Sequence, residues 1–253
     1  MPIAISAVVA CCLLLIAVGV RLWMGFWREL DLSAVASLAA WVAAGILLVG
    51  ALLVWGGRLP ALESLVRPLD MSGLPGAVLT LVLMAALAIP LGDETGLEAQ
   101  SGHGASWSRA LVYLPALALT GEVLVQVSGS TGSTHSADWV TPLRFLIAVC
   151  AGLGARALGQ ALQVIVEGPR CGEWPRAITY GLLTLLVASA ALVNLWQRGM
   201  VWVGSDPVMR GGLAGAWLVW SAGSFVPRRY PRLQAALTVV AALLLIVVAV
   251  REA

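Results

Sequence analysis

Lysine is missing from this chain. All fifteen basic residues are arginine, and thirteen acidic residues bring the formal net charge to +2. Exclusive use of arginine reads as the codon bias of a GC-rich genome rather than a physical adaptation. Charged residues are scarce at 11%, against about 25% in soluble domains. No basic stripe is present to replace phosphate counterions, which excludes nucleic acid as a partner. The four cysteines (Cys11, Cys12, Cys150, Cys171) form no CxxC, CxxCH or Cys/His metal spacing and read as small buried hydrophobes. Neither serine nor cysteine lies in a Gly-x-Ser-x-Gly elbow, and hydrolase motifs are absent. A catalytic activity of its own is therefore not expected. No internal repeat is evident, so the inverted repeats of many transporters find no support. The first apolar run has no basic region before it and no small-residue cleavage pattern. It reads as a retained membrane helix rather than a signal peptide.

What is abundant is apolar sequence, at 60% of the chain. A chain this hydrophobic cannot hide its apolar surface in one soluble core. The expected fold class is all-α, a polytopic membrane helix bundle forming a single integral membrane domain over residues 1–253. A span needs about 20 mostly apolar residues, and that criterion gives about eight. They fall near residues 3–23, 35–56, 74–92, 108–127, 142–166, 178–196, 208–226 and 231–250. Their short polar connections leave no room for a soluble domain. In lipid each backbone polar group must be satisfied within its own segment, so the runs should be helices. The alternating ten-residue segments of an outer-membrane barrel are absent.

Orientation follows from arginine. One set of connections carries eight arginines and the other six, with Arg228-Arg229-Tyr230-Pro231-Arg232 the clearest cytoplasmic cluster. Both termini and the loop Gln197 to Pro207 then lie outside the cytoplasm, with the loop Ser128 to Ser136 on the same external side. Most of the eleven tryptophans sit near span ends, as an interfacial aromatic belt would.

Four polar residues in the fifth span, Arg156, Gln160, Gln163 and Glu167, recur at i, i+4, i+7 and i+11 and share one helical face. An intramembrane arginine is costly, so Arg156 is a candidate functional residue, with Glu122 of the fourth span as a possible partner. The plain alternative is a structural polar seam whose lower end snorkels to the interface; a proton or ion path is another. Of the two histidines, His103 and His135, both in Gly/Ser-rich loops, His135 shares the external face with Asp206 and is the better metal-ligand candidate. By this topology the two lie on opposite faces and cannot share one metal. Glycine-rich faces at Gly211-Gly212-Leu-Ala-Gly215 and around Gly152, Gly154 and Gly159 allow close helix approach.

The block from Arg176 to Pro207 resembles the core of the cytochrome c assembly family, polytopic haem-handling proteins with a tryptophan-rich external loop. Gly181-Leu-Leu-Thr184, Trp202, Asp206-Pro207, Trp217, Trp220, Arg228-Arg229 and the last helix follow that family's order over about the final 80 residues. Val203 and Ser205 stand where the family carries aromatics, and Ser224 and Phe225 where it carries a histidine. The resemblance implies haem as a cofactor, with indole rings as a platform for the porphyrin face and imidazole as iron ligand. It points to Trp202, Asp206, Trp217 and Trp220 as haem contacts, with His135 as a candidate ligand. It also implies a bacterial inner-membrane location and partners among other membrane subunits or cytochrome c maturation proteins. Two further functions remain open. One is a non-catalytic subunit that kept the fold and lost the haem site. The other is a small-solute or proton transporter using Glu122 and Arg156.

Overall fold

Proline opens four of the helices. Pro2, Pro142, Pro207 and Pro231 each stand at a first helical position, where a missing N–H costs nothing and the fixed φ suits a helix. The computed structural model describes residues 2–26, 33–56, 76–90, 110–129, 142–167, 178–188, 207–227 and 229–252. Among these residues the fold is all α. The helices are α1 (Pro2–Phe26), α2 (Ser33–Gly56), α3 (Gly76–Ala88), α4 (Leu114–Gly129), α5 (Pro142–Glu167), α6 (178–188), α7 (Pro207–Phe225) and α8 (Pro231–Glu252). A 3-10 turn, Leu111–Tyr113, leads into α4.

Among the described residues three helices hold runs long and apolar enough to cross a membrane: Ile5–Trp23, Leu146–Val166 and Pro231–Val250. Shorter apolar helices are Val35–Gly50, Leu111–Val127 and Ile178–Ala188. The third helix stops at Ala88, short of the expected residue 92. Pro90 lacks a donor and biases residue 89 away from helix, and the chain tightens there through the Ile89 N–H to the Ala86 carbonyl at 3.4 Å. The sixth expected span is helical over 178–188; its remainder lies outside the described residues, as do His103, His135, Cys171, Trp202 and Asp206.

Packing runs in chain order. α1 lies against α2 and α4, α2 against α3, and α3 against α4, which closes a ring of four helices. Ser6 near the start of α1 stands beside Gly50 near the end of α2, so these two helices are antiparallel. α5 lies against α3, α4 and the 3-10 turn, α8 against α5, and α7 against α8. Small side chains fill the interfaces: Ala7, Ala10 and Ala17 of α1 and Ala36, Ala40 and Ala43 of α2 are fully buried. Large aliphatics point outward, with Ile5 62%, Leu38 65% and Val247 60% exposed. Water would penalise that arrangement at roughly 25 cal/mol per Å² of apolar surface. A bilayer does not, and there helices associate through close contact of small residues. The inside-out pattern fits a membrane-embedded bundle.

Two glycines fix α5 against the ring. A Cβ at Gly152 would meet the Met84 carbonyl oxygen at 2.9 Å, and one at Gly159 would meet that of Val112 at 2.6 Å. They are seven residues apart and so share a face. At the other end of the bundle, α7 and α8 form an antiparallel hairpin, in which Gly215 faces Leu244 and Gly212 faces Val248. The turn between them is closed by the Tyr230 N–H donating to the Pro227 carbonyl at 2.9 Å and the Gln234 N–H to the Tyr230 carbonyl at 3.1 Å. Arg229 stacks over the Tyr230 ring, 4.9 Å from its centroid.

Candidate functional site

Helices α6 and α7 are stitched together by hydroxyls. Trp217 Nε1 donates to Thr184 Oγ1 at 3.1 Å, and Thr184 Oγ1 donates to the Tyr180 carbonyl at 2.8 Å. One turn along, the Tyr180 hydroxyl and Ser221 Oγ lie 3.2 Å apart. Residue 184 thus pairs with 217 and residue 180 with 221, which makes α6 and α7 antiparallel. The chain leaves α6 and re-enters α7 at the same end of this pair. Pro207 opens α7, and in sequence Asp206 immediately precedes it, where a carboxylate favours a helix N-terminus.

Thr184 entered the sequence reading only as part of the Gly181-Leu-Leu-Thr184 motif, and Tyr180 and Ser221 were given no role, although hydroxyl or indole groups spaced four apart on both segments (180 and 184, 217 and 221) carry the signal. Interhelical hydrogen bonds of this kind contribute about 0.6 kcal/mol on average in a membrane protein, and up to about 1.7. Thr184→Val and Trp217→Phe are each expected to cost about that much. A double-mutant cycle on the full chain, read by denaturant unfolding in detergent, should show the two losses to be non-additive. Strict additivity would mean that the bond does not stabilise the pair.

The candidate tryptophans separate in setting. Trp217 is half-buried, with its N–H engaged by Thr184. Trp220 is 1% exposed, and its N–H meets no acceptor among the described residues. Trp220 has no open ring face and so does not fit a porphyrin platform, while Trp217 is held at its ring edge by Thr184. Among the described residues no group of three or more His, Cys, Asp or Glu could hold a metal. Cys11, Cys12 and Cys150 are free thiols. His135, Trp202 and Asp206 lie outside the described residues.

The polar face of α5 is partly as expected. Arg156 is 5% and Gln163 7% exposed, while Gln160 is half-buried. Arg156 falls on the same face as Gly152 and Gly159, between the two points where α5 meets the backbone of the ring helices. It takes part in a polar or electrostatic interaction there. Glu122, its expected partner, is in a different setting. It is half-buried on α4 and accepts a hydrogen bond from Gln126 Nε2 at 2.9 Å. Two buried threonines satisfy themselves within their helices, Thr120 on the Ala116 carbonyl and Thr238 on that of Gln234.

The chain matches no protein-family model, no curated protein and no solved structure. What bears on function is therefore the order of residues along the last three helices and the geometry that holds them.

Proposed function

We propose that this chain is an eight-span protein of the bacterial inner membrane with a haem-handling or accessory role in c-type cytochrome maturation. Any haem contact is made at the loop between α6 and α7 and not by the tryptophans of α7. The observation that carries the reading is the antiparallel α6–α7 pair, closed by Trp217 to Thr184 and Tyr180 to Ser221. Residue 188 and Pro207 lie at the same end of that pair, which supports reading the sequence between them, with Trp202 and Asp206, as the haem-facing loop that the family resemblance implies. The burial of Trp220 and the engagement of Trp217 favour a second reading, in which the chain is a non-catalytic subunit that keeps the frame alone.

An absorption spectrum separates the two. The detergent-purified protein is titrated with haem as wild type, Trp202→Ala, His135→Ala and Trp217→Phe. The first reading expects a Soret band that weakens in Trp202→Ala and His135→Ala and persists in Trp217→Phe. Absence of haem uptake by folded wild-type protein would sink the haem-handling role and leave the subunit reading in front.

A further inference from the structure

The fourth helix carries a half-buried carboxylate on its outer side, inside its apolar run. Glu122 is the ninth of the sixteen residues of α4, five residues or about 7 Å before the end of the apolar run Leu111–Val127. α4 meets α1, α3, α5 and the 3-10 turn on its inner side. Its opposite stripe, at i, i+4, i+8 and i+11, is Leu114, Ala118, Glu122 and Val125. Leu114, Ala118 and Val125 are all exposed, Val125 at 62%. Gln126, beside Glu122, is exposed and donates to its Oε1. Among the described residues Glu122 has this one amide donor, which leaves most of the acceptor capacity of a carboxylate unused. Charged and amide groups facing hydrocarbon are costly, and they drive helix association where a partner can satisfy them. Gly121 adjoins Glu122, and nothing lies within 4 Å of where its Cβ would be. Ala118, one turn before Glu122, is also small. A second helix can therefore approach closely at this depth.

We infer that this face of α4 docks a transmembrane helix of another membrane protein, one bearing a basic side chain inside its apolar span, at the depth of Glu122, that pairs with Glu122. Charge complementarity selects the partner. A second copy of this chain offers no such cation from Arg21 or Arg156, because both are buried. A two-fold axis along the membrane normal would also bring like depths together and set two Glu122 carboxyl groups against each other. The inference rests on membrane placement and is independent of any haem contact.

The test uses the full chain in phosphatidylcholine vesicles, labelled for energy transfer. The probe is a polyleucine helix of about 20 residues with one central arginine, compared with the same helix carrying leucine there. The arginine helix should associate about ten-fold more strongly. Glu122→Leu should remove that preference. Gly121→Ile should weaken it by blocking close approach, while thermal unfolding shows both variants folded. Equal association of the two helices, or an arginine preference that survives Glu122→Leu, overturns the proposal. Glu122-dependent self-association of the chain overturns it in favour of a second copy.

Discussion

Replacing Gly159 with valine is expected to destabilise the detergent-purified protein by about 3 kcal/mol or more. The reason is local and lies in the backbone. A Cβ at this position would sit 2.6 Å from the Val112 carbonyl oxygen and 2.9 Å from the Val112 Cα. Val112 belongs to the 3-10 turn that leads into α4, so relief requires a helix or the turn to move. Even Gly159→Ala should destabilise. Intrinsic propensity favours alanine over glycine in a helix by about 1 kcal/mol, but forcing an atom into a packed contact costs about 1–3 kcal/mol. The clash should win. Gly181→Ala gives the opposite expectation, because nothing lies within 4 Å of its Cβ position. It should be neutral or slightly stabilising. Thermal unfolding followed by circular dichroism distinguishes the two, and matching midpoints for Gly159→Ala and Gly181→Ala would contradict the close approach of α5 to the turn.

Much of this frame was legible in the sequence, because length and hydropathy act at the level of whole helices. The fifth apolar run, expected over 142–166, is the helix Pro142–Glu167. The run expected over 231–250 is the helix Pro231–Glu252. Where reading by hydropathy alone overshot, proline was the cause: residues 89–92 are apolar enough for a span, but Pro90 ends α3. Side-chain partners were much less legible. Glu122 was a possible partner for Arg156 only as an intramembrane carboxylate on the neighbouring span, at a depth roughly 10 Å different at 1.5 Å per residue. Glu122 accepts a hydrogen bond from Gln126 of its own helix, a local contact that no periodicity in a nearly uniform apolar helix reports. The glycines around 152 and 159 were readable as close-packing positions, yet which backbone they meet depended on tertiary placement.

The candidate haem tryptophans show the same limit from the other side. Order and spacing along the chain resembled a haem-handling family, but whether an indole faces a ligand or a neighbouring helix depends on the rotation of α7. For Trp220 the structure favours the helix bundle, and this leads to an expected pair of results. Trp220→Ala should cost about 3–5 kcal/mol, as large-to-small changes at buried aromatic positions do. Trp220→Phe should cost less than about 1.5 kcal/mol. It keeps an aromatic ring in the packed site and removes an N–H that has no acceptor among the described residues, so little hydrogen-bond energy is lost. Haem uptake, where it occurs, should be unchanged in Trp220→Phe. A tryptophan that served as a porphyrin platform gives the reverse pattern. Both substitutions would then leave the unfolding midpoint nearly where it was and weaken the Soret band together. Measuring the midpoint and the spectrum on the same two variants therefore decides whether α7 is a packing helix that orients its preceding loop or part of a binding surface.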